Sequence, residues 1–293
     1  MTWRIVVVNR HSKPSYQNNA LLFKYSEGIE KIHLSEIHTI IVETTDVVFT
    51  TTLIAKLVEY KVKLIFCDTK HLPTAELVPY YGSHDTSRSI VAQIHWSPEF
   101  QKWVWTKIIY QKIKNQSLHL GFRGKFQEAK MLDIYLLSLT EYDETNREGH
   151  SAKVYFNALF GMKFTRDTEN DINAALDYGY TLLLSIFTRE IVKNGNLTQL
   201  GLKHSNIFNP FNLASDLMEP FRPLVDEIVY EHQELEFSDI KYLLFDLFNT
   251  TYFFNDKEMY LVNIVESYVR KILTSLNEEK TEIPVFQFLG RRK

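Results

Sequence analysis

The 293-residue sequence predicts an α+β protein, with a small β-rich N-terminal domain followed by a larger all-α C-terminal domain. Three observations carry that prediction. Short β-branched and aromatic runs crowd the first eighty or so positions. A polar stretch, Gly82-Ser83-His84-Asp85-Thr86-Ser87-Arg88-Ser89, then interrupts them. Beyond it, apolar residues recur at helical spacing almost to the C-terminus. At about 150 residues per domain, the length also points to roughly two domains.

Taken in order, residues 3–9 form a compact β-branched run suited to a buried strand. Residues 21–25 and 29–34 flank a Ser26-Glu27-Gly28 turn signal and read as a hairpin, and 39–43 follows as another strand. A run of threonines offers an N-cap to a helix on which Leu53, Ile54, Leu57 and Val58 are spaced as one apolar face. Residues 62–67 and 75–81 return to strand. The expected division is a β-rich domain over 1–82, a hinge or linker over 83–95, a helical domain over 96–288 and an exposed basic tail over 289–293. Within the helical part, Trp103, Lys107, Tyr110 and Ile113 mark one helix and 126–139 another. Further helices are expected over 171–194, 213–232, 240–248 and 260–276.

Composition excludes several classes. At 45% hydrophobic and 24% charged, the chain is too apolar for disorder, and 10 Gly with 8 Pro exclude a fibrous design. Its 20 Phe and 16 Tyr supply large aromatic side chains for sizeable cores. The single cysteine, Cys67, excludes an intrachain disulfide framework and a CxxC zinc site, and fits a reducing cytoplasm. No apolar run approaches the roughly 18 residues of a membrane span. The N-terminus lacks a secretory apolar region and cleavage site, so no membrane partner is expected. The formal net charge of −3 hides opposite regions. Residues 101–130 hold seven basic residues against Glu128, interleaved with Trp103, Trp105, Tyr110 and Phe122. Basic residues among aromatics can follow a phosphate backbone, or simply form a solvated face. Residues 226–260 carry nine acidic residues against two lysines, most simply a solvated surface.

Two segments carry chemistry. In Arg147-Glu148-Gly149-His150-Ser151-Ala152-Lys153-Val154-Tyr155, a helix would place Glu148, Ala152 and Tyr155 on one face. Glu148 then fits either a metal ligand on a crowded inner face or a first-turn glutamate favoured by the helix dipole; this segment alone favours the second. In the other segment, Gly201-Leu202-Lys203-His204 precedes Asn209-Pro210-Phe211-Asn212-Leu213-Ala214-Ser215-Asp216-Leu217-Met218-Glu219-Pro220-Phe221-Arg222-Pro223. Asn212 is placed to cap a helix whose Asp216 and Glu219 project from one side, with a kink expected at Pro220. Two oxygen ligands and the His204 imidazole suit Mg²⁺ or Mn²⁺, the imidazole favouring Mn²⁺.

Together, Glu148-Gly149 with Ala152 and Tyr155, the Gly-Leu-X-His loop, and Asn-Pro-Phe-X-Leu-X-X-Asp-Leu-X-Glu-Pro-X-Arg-Pro resemble the signature of the CRISPR-associated protein one family. The resemblance spans essentially the whole chain, and its flavour is that of the branch working with single-protein RNA-guided effectors (type II). It implies an integrase of CRISPR spacer acquisition, joining 3′-hydroxyl ends of pre-spacer DNA to the CRISPR repeat by transesterification. Nicking and disintegration of branched DNA would use the same site. It further implies that Glu148, His204 and Glu219 are catalytic ligands of Mg²⁺ or Mn²⁺, with Asp216 a further acidic residue nearby. Many members of that family carry Asp where Glu219 stands; the longer side chain keeps the ligand role. Tyr155, Lys203 and Arg222 are implied either behind the ligands or against phosphate, with core packing the alternative for Tyr155 and surface charge for Lys203. Candidate DNA contacts are Lys102, Lys107, Lys112, Lys114, Arg123, Lys125, Lys203 and Arg222. The implied partners are double-stranded DNA and a small companion adaptation protein, two homodimers flanking a dimer of the companion, with the β-rich domain as dimer contact. The alternatives are a non-catalytic DNA-binding scaffold in the same complex, and a helical adaptor without DNA affinity.

Overall fold

The computed structural model describes residues 4–25, 28–69, 73–80 and 83–290. The chain divides into two compact units, Met1–Gly82 and Ser83–Lys293.

The first unit is β-rich. Its strands are β1 (Arg4–Val8), β2 (Ser15–Gln17), β3 (Ala20–Tyr25), β4 (Gly28–His33), β5 (Ile37–Val42), β6 (Lys63–Cys67) and β7 (Pro73–Leu77), with helix α1 (Thr51–Glu59) between β5 and β6. One sheet has the order β1-β5-β6-β7; the other is an antiparallel β2-β3-β4 meander. Strand β5 runs parallel to both β1 and β6, so a crossover is required, and α1 provides it. All six residues of β5 are buried, as a strand covered on both faces demands. The Thr50 hydroxyl accepts from the Leu53 amide at 3.2 Å and starts α1. Leu53 and Leu57 then join Leu21, Phe23, Ile37, Ile40 and Leu64 in the core. Each such side chain contributes about 1.5–3 kcal/mol of burial. Strand β2 went unread because three residues are too few to show a period. Trp3, Ser26, Glu27 and Tyr81 lie outside the described residues.

The second unit contains α2 (Thr86–Ile94), α3 (Pro98–Phe122), α4 (Phe126–Leu137), α5 (Arg147–Phe160), α6 (Asp171–Lys193), α7 (Asn212–Leu217), a 3₁₀ turn (Glu219–Phe221), α8 (Arg222–Glu231), α9 (Phe237–Leu243), α10 (Asp246–Asn249) and α11 (Leu261–Glu278). Two features add to the expected layout. The segment expected as a hinge over 83–95 carries α2, because Ile90 to Ile94 have helical spacing behind the polar start. The helical unit also holds a hairpin, β8 (Thr251–Phe254) with β9 (Lys257–Tyr260), whose tip residues Asn255 and Asp256 both adopt positive φ. Residues 291–293 of the expected tail lie outside the described residues. Among the described residues, no helix is long and apolar enough to cross a membrane.

Helix α3 runs through the middle of this unit. From Gln111 to Leu120 it is buried almost all round, including the polar Gln111, Lys112, Asn115, Gln116, Ser117 and His119. Burying polar groups is tolerated only when they are bonded, and two of them hold the C-terminal segment. Gln111 donates to the Pro284 carbonyl at 3.0 Å and accepts from the Phe286 amide at 3.1 Å. Asn115 donates to the carbonyls of Phe286 (2.9 Å) and Pro220 (2.8 Å), and accepts from the Phe288 amide at 2.9 Å. Phe286 stacks on Phe221, centroids 4.1 Å apart. The turn that carries Glu219 is thereby fixed to α3 from one side and to the C-terminal segment from the other.

Candidate active site

Glu148 lies in the first turn of α5. Asn146, at φ 52°, accepts from the Gly149 amide at 3.3 Å, and Asp143 accepts from the amides of Arg147 (2.7 Å) and Glu148 (2.9 Å). Two side chains therefore satisfy the orphan donors of this terminus and fix where Glu148 points. Gly149 makes room for the cap, since a Cβ there would fall 2.7 Å from the Asn146 amide oxygen.

His204 is positioned by Asp216, which is fully buried. One carboxylate oxygen accepts from the amides of Leu202 (2.5 Å) and Lys203 (3.0 Å); the other meets the His204 amide at 3.3 Å and its Nδ1 at 2.5 Å. Asp216 is thus the platform of the 201–204 loop. The hydrogen bond that His204 donates to Asp216, aided by the negative charge of Asp216, Glu219 and Glu148, raises the imidazole pKa above its ordinary value. Trp105 supports the ring edge-on, centroids 5.9 Å apart. Asn212 does not cap α7 as expected; it is the first helical residue. Its amide instead donates to the carbonyls of Gln199 and Asn206, 3.0 Å each, closing the same loop.

Glu219 opens the 3₁₀ turn between α7 and α8, where the helix breaks as Pro220 requires. Its side chain is 3% exposed. The Lys112 Nζ from α3 lies 2.6 Å from a Glu219 oxygen and 2.6 Å from a Glu148 oxygen. The Arg222 Nε is 3.0 Å from that same Glu219 oxygen, and its guanidinium lies 4.5 Å from the centroid of the Tyr180 ring. This Glu219 oxygen is thus held by two cations at ion-pair distance. Burial alone would raise the Glu219 pKa; Arg222 and Lys112 outweigh it and hold the carboxyl below its ordinary value. Burial would likewise lower Lys112, but Glu219 and Glu148 prevail and keep it protonated.

Glu148, Glu219 and His204 therefore come from three separate stretches of chain to one neighbourhood, with Lys112 between the two glutamates. Among the described residues, no three His, Cys, Asp or Glu side chains form a ready-made metal cluster, since an ammonium stands between the carboxylates. Tyr155 lies behind the site, donating to Asp226 at 2.9 Å, with its hydroxyl 2.6 Å from His119 Nδ1. Tyr180 donates to the other Asp226 oxygen.

The candidate DNA contacts separate into groups. Lys112 and Arg222 are engaged with the glutamates. Arg123 pairs with Glu227 (3.0 Å) and Glu231 (2.8 Å), and Lys114 with Asp133 at 2.9 Å. Lys203 reaches the Tyr142 carbonyl at 3.3 Å and lies over its ring. Lys102 and Lys107 are exposed on the first half of α3, and Lys125 is half-buried ahead of α4. Sequence reasoning missed Asp143, Asn146, Trp105 and Asp226. A Lys112 partnership with residues 36 and 107 positions away leaves no local signal.

The family model for CRISPR associated protein Cas1 matches residues 5–236. A CRISPR-associated endonuclease Cas1 from Neisseria meningitidis serogroup C (strain 8013) is 36% identical over 239 residues, covering 80% of this chain and 79% of that protein. A casposase bound to integration product shares the fold with a TM-score of 0.77 at 19% identity, over 100% of this chain and 96% of that one. A chain from a Cas6-RT-Cas1–Cas2 complex gives a TM-score of 0.74 at 18% identity, over 98% of this chain and 36% of that longer one.

Proposed function

Because the chain belongs to the Cas1 family of CRISPR-associated proteins, we propose that it is a metal-dependent DNA integrase, joining the 3′-hydroxyl ends of pre-spacer DNA to a CRISPR repeat by transesterification. The observation that carries this reading is the pair Glu148 and Glu219, held about one cation, beside an imidazole fixed by a buried carboxylate.

The residues fit a divalent ion. The Lys112 ammonium already marks a cation position between the two carboxylates. With Nδ1 committed to Asp216, the Nε2 of His204 is the ring nitrogen left for a ligand, the usual arrangement of a metal-binding histidine. Glu148, Glu219 and His204 would hold Mg²⁺ or Mn²⁺, two oxygens and one nitrogen being a donor set for such ions. When bound, the ion supplies Lewis-acid polarisation of the scissile phosphate and offsets charge developing in the transition state.

The chain's own residues do the rest. Asp216 fixes the tautomer and direction of His204. Arg222 adds fixed positive charge beside the reacting phosphate, and Lys112 a tethered one, in a setting of low exposure where such charge acts strongly. Lys102 and Lys107 contact the DNA backbone and help hold both DNAs in line, a positioning task that can supply much of the rate. A dimer of the small companion adaptation protein, flanked by two dimers of this chain, would bring two such sites to the two strand ends. Branched DNA would be nicked or resolved by the reverse step.

The test mixes the purified chain with its companion subunit, a pre-spacer duplex and a repeat-containing plasmid, with and without Mn²⁺. Strand-joined product should require the ion. It should fall roughly 100-fold or more in His204→Ala, since even outer partners of metal ligands are worth about 10–100-fold. A folded His204→Ala protein that joins DNA at the parental rate overturns the assignment, and leaves the DNA-binding scaffold as the better reading.

A further inference from the structure

Lys112 is unusual for a lysine: it is buried in the middle of a long helix, its side chain 8% exposed, and its Nζ contacts two carboxylates from different elements at the same 2.6 Å. Long cationic side chains normally reach solvent, and holding one inside needs paired negative charge. Glu219 is in the reverse position, 3% exposed and dependent on Lys112 and Arg222 for compensation. Removing either partner of such a buried contact strands the other. The two glutamates are therefore already charge-compensated, by the Lys112 ammonium between them and by Arg222 beside Glu219.

We propose that Lys112 is the resident counter-ion of this site, an internal competitor whose ammonium a divalent ion must displace from between Glu148 and Glu219. Metal binding is then a cation exchange. The free protein holds its two glutamates together with an ammonium, and its affinity for Mn²⁺ or Mg²⁺ is lower than the ligand set alone would give. The displaced ammonium stays tethered to α3, beside the place where a DNA phosphate would lie. Lys112 is thus a positioning residue, acting through the two glutamates. Its role rests on the proposed metal site and adds to it a residue that sets how readily the site loads.

The test is Mn²⁺ binding to the DNA-free full chain, measured by calorimetry and by paramagnetic resonance of unbound Mn²⁺, for the parent, Lys112→Met and Lys112→Arg. Lys112→Met should bind Mn²⁺ at least about tenfold more tightly, the factor equivalent to 1.4 kcal/mol. Lys112→Arg keeps the charge and should stay near the parent. In EDTA the Lys112→Met melting temperature should drop, and saturating Mn²⁺ should restore it. A lysine with only a packing role would lower it equally in both conditions. Equal or weaker Mn²⁺ binding by Lys112→Met, with binding retained by the parent, overturns the inference and leaves the metal site standing. No binding by either protein overturns both. Should Lys112→Met not fold, the parent supplies the answer through the ¹⁵N resonance of its Lys112 ammonium. That signal should shift or vanish as Mg²⁺ saturates the protein; an unmoved signal at saturation contradicts the exchange.

Discussion

At the residue scale, Asp216 and Gly201 decide whether His204 can serve. Asp216 gathers three successive backbone amides and the His204 Nδ1 with a single carboxylate, and Gly201 lets the loop close over it. A Cβ on Gly201 would run into the His204 carbonyl and sit 2.7 Å from an Asp216 oxygen. Gly201→Ala should cost roughly 1–3 kcal/mol of stability through overpacking, read by denaturant unfolding, and should depress DNA joining along with it. Asp216→Asn should return the His204 pKa toward its ordinary value, which histidine NMR titration would follow; an unchanged titration contradicts the platform role. That Glu148, His204 and Glu219 stand near one another was legible from their two motifs. Their surroundings were not. Lys112 reads as one more basic residue in a basic stretch, and only folding shows that it faces inward.

At the scale of elements, α3 is the part on which the site depends. It carries Lys112, places Trp105 under His204, and binds both the Glu219 turn and the C-terminal segment through Asn115. Asn115→Ala leaves two carbonyls and an amide without their partner, so a loss of roughly 1–3 kcal/mol is expected in chemical denaturation. Joining activity should fall further than stability explains, because the Glu219 turn loses its tie; parental activity in a destabilised protein would show that the tie does not matter to the site. Most elements were readable from period alone: α1, α6, α11 and the β3–β4 hairpin follow it closely. The period of α3 shows the helix but not its burial, since its buried polar residues look like a solvent face until the C-terminal segment arrives to bond them. The β8–β9 hairpin was overlooked because its alternation spans only four residues per strand, between helical runs.

For the whole molecule, charge and pH matter most. The net charge of −3 is compatible with DNA binding because several basic residues of the 101–130 stretch are internally paired while Lys102 and Lys107 remain exposed. Replacing both with Gln should reduce the slope of log affinity against log salt by roughly 0.9 for each phosphate no longer neutralised. Arg123, paired to Glu227 and Glu231, should leave that slope unchanged when replaced. Burial pushes Asp226 up to about 6 from an ordinary 3.8, against the pull of its Tyr180 and Tyr155 hydrogen bonds. The folded chain thus holds this proton more tightly than the unfolded chain, and the stability it contributes is lost as pH rises from about 4 through about 6. His119 works in the opposite direction: burial, with Arg123 adding to it, lowers it to about 3, so its contribution is lost as pH falls below about 6.5. Because the two slopes oppose, Asp226→Asn must be compared with the parent at each pH. Relative to the parent, it should gain on the order of 2–3 kcal/mol between pH 4 and pH 7; a constant difference contradicts the assignment. Everything proposed for the reaction depends on Glu148, His204 and Glu219 holding one catalytic ion, and anomalous diffraction at the manganese edge from Mn²⁺-soaked crystals would show that ion itself. One peak is expected within ligand distance of all three side chains, with Lys112 moved aside. Saturating Mn²⁺ with no peak there, and Lys112 still between the glutamates, would refute it.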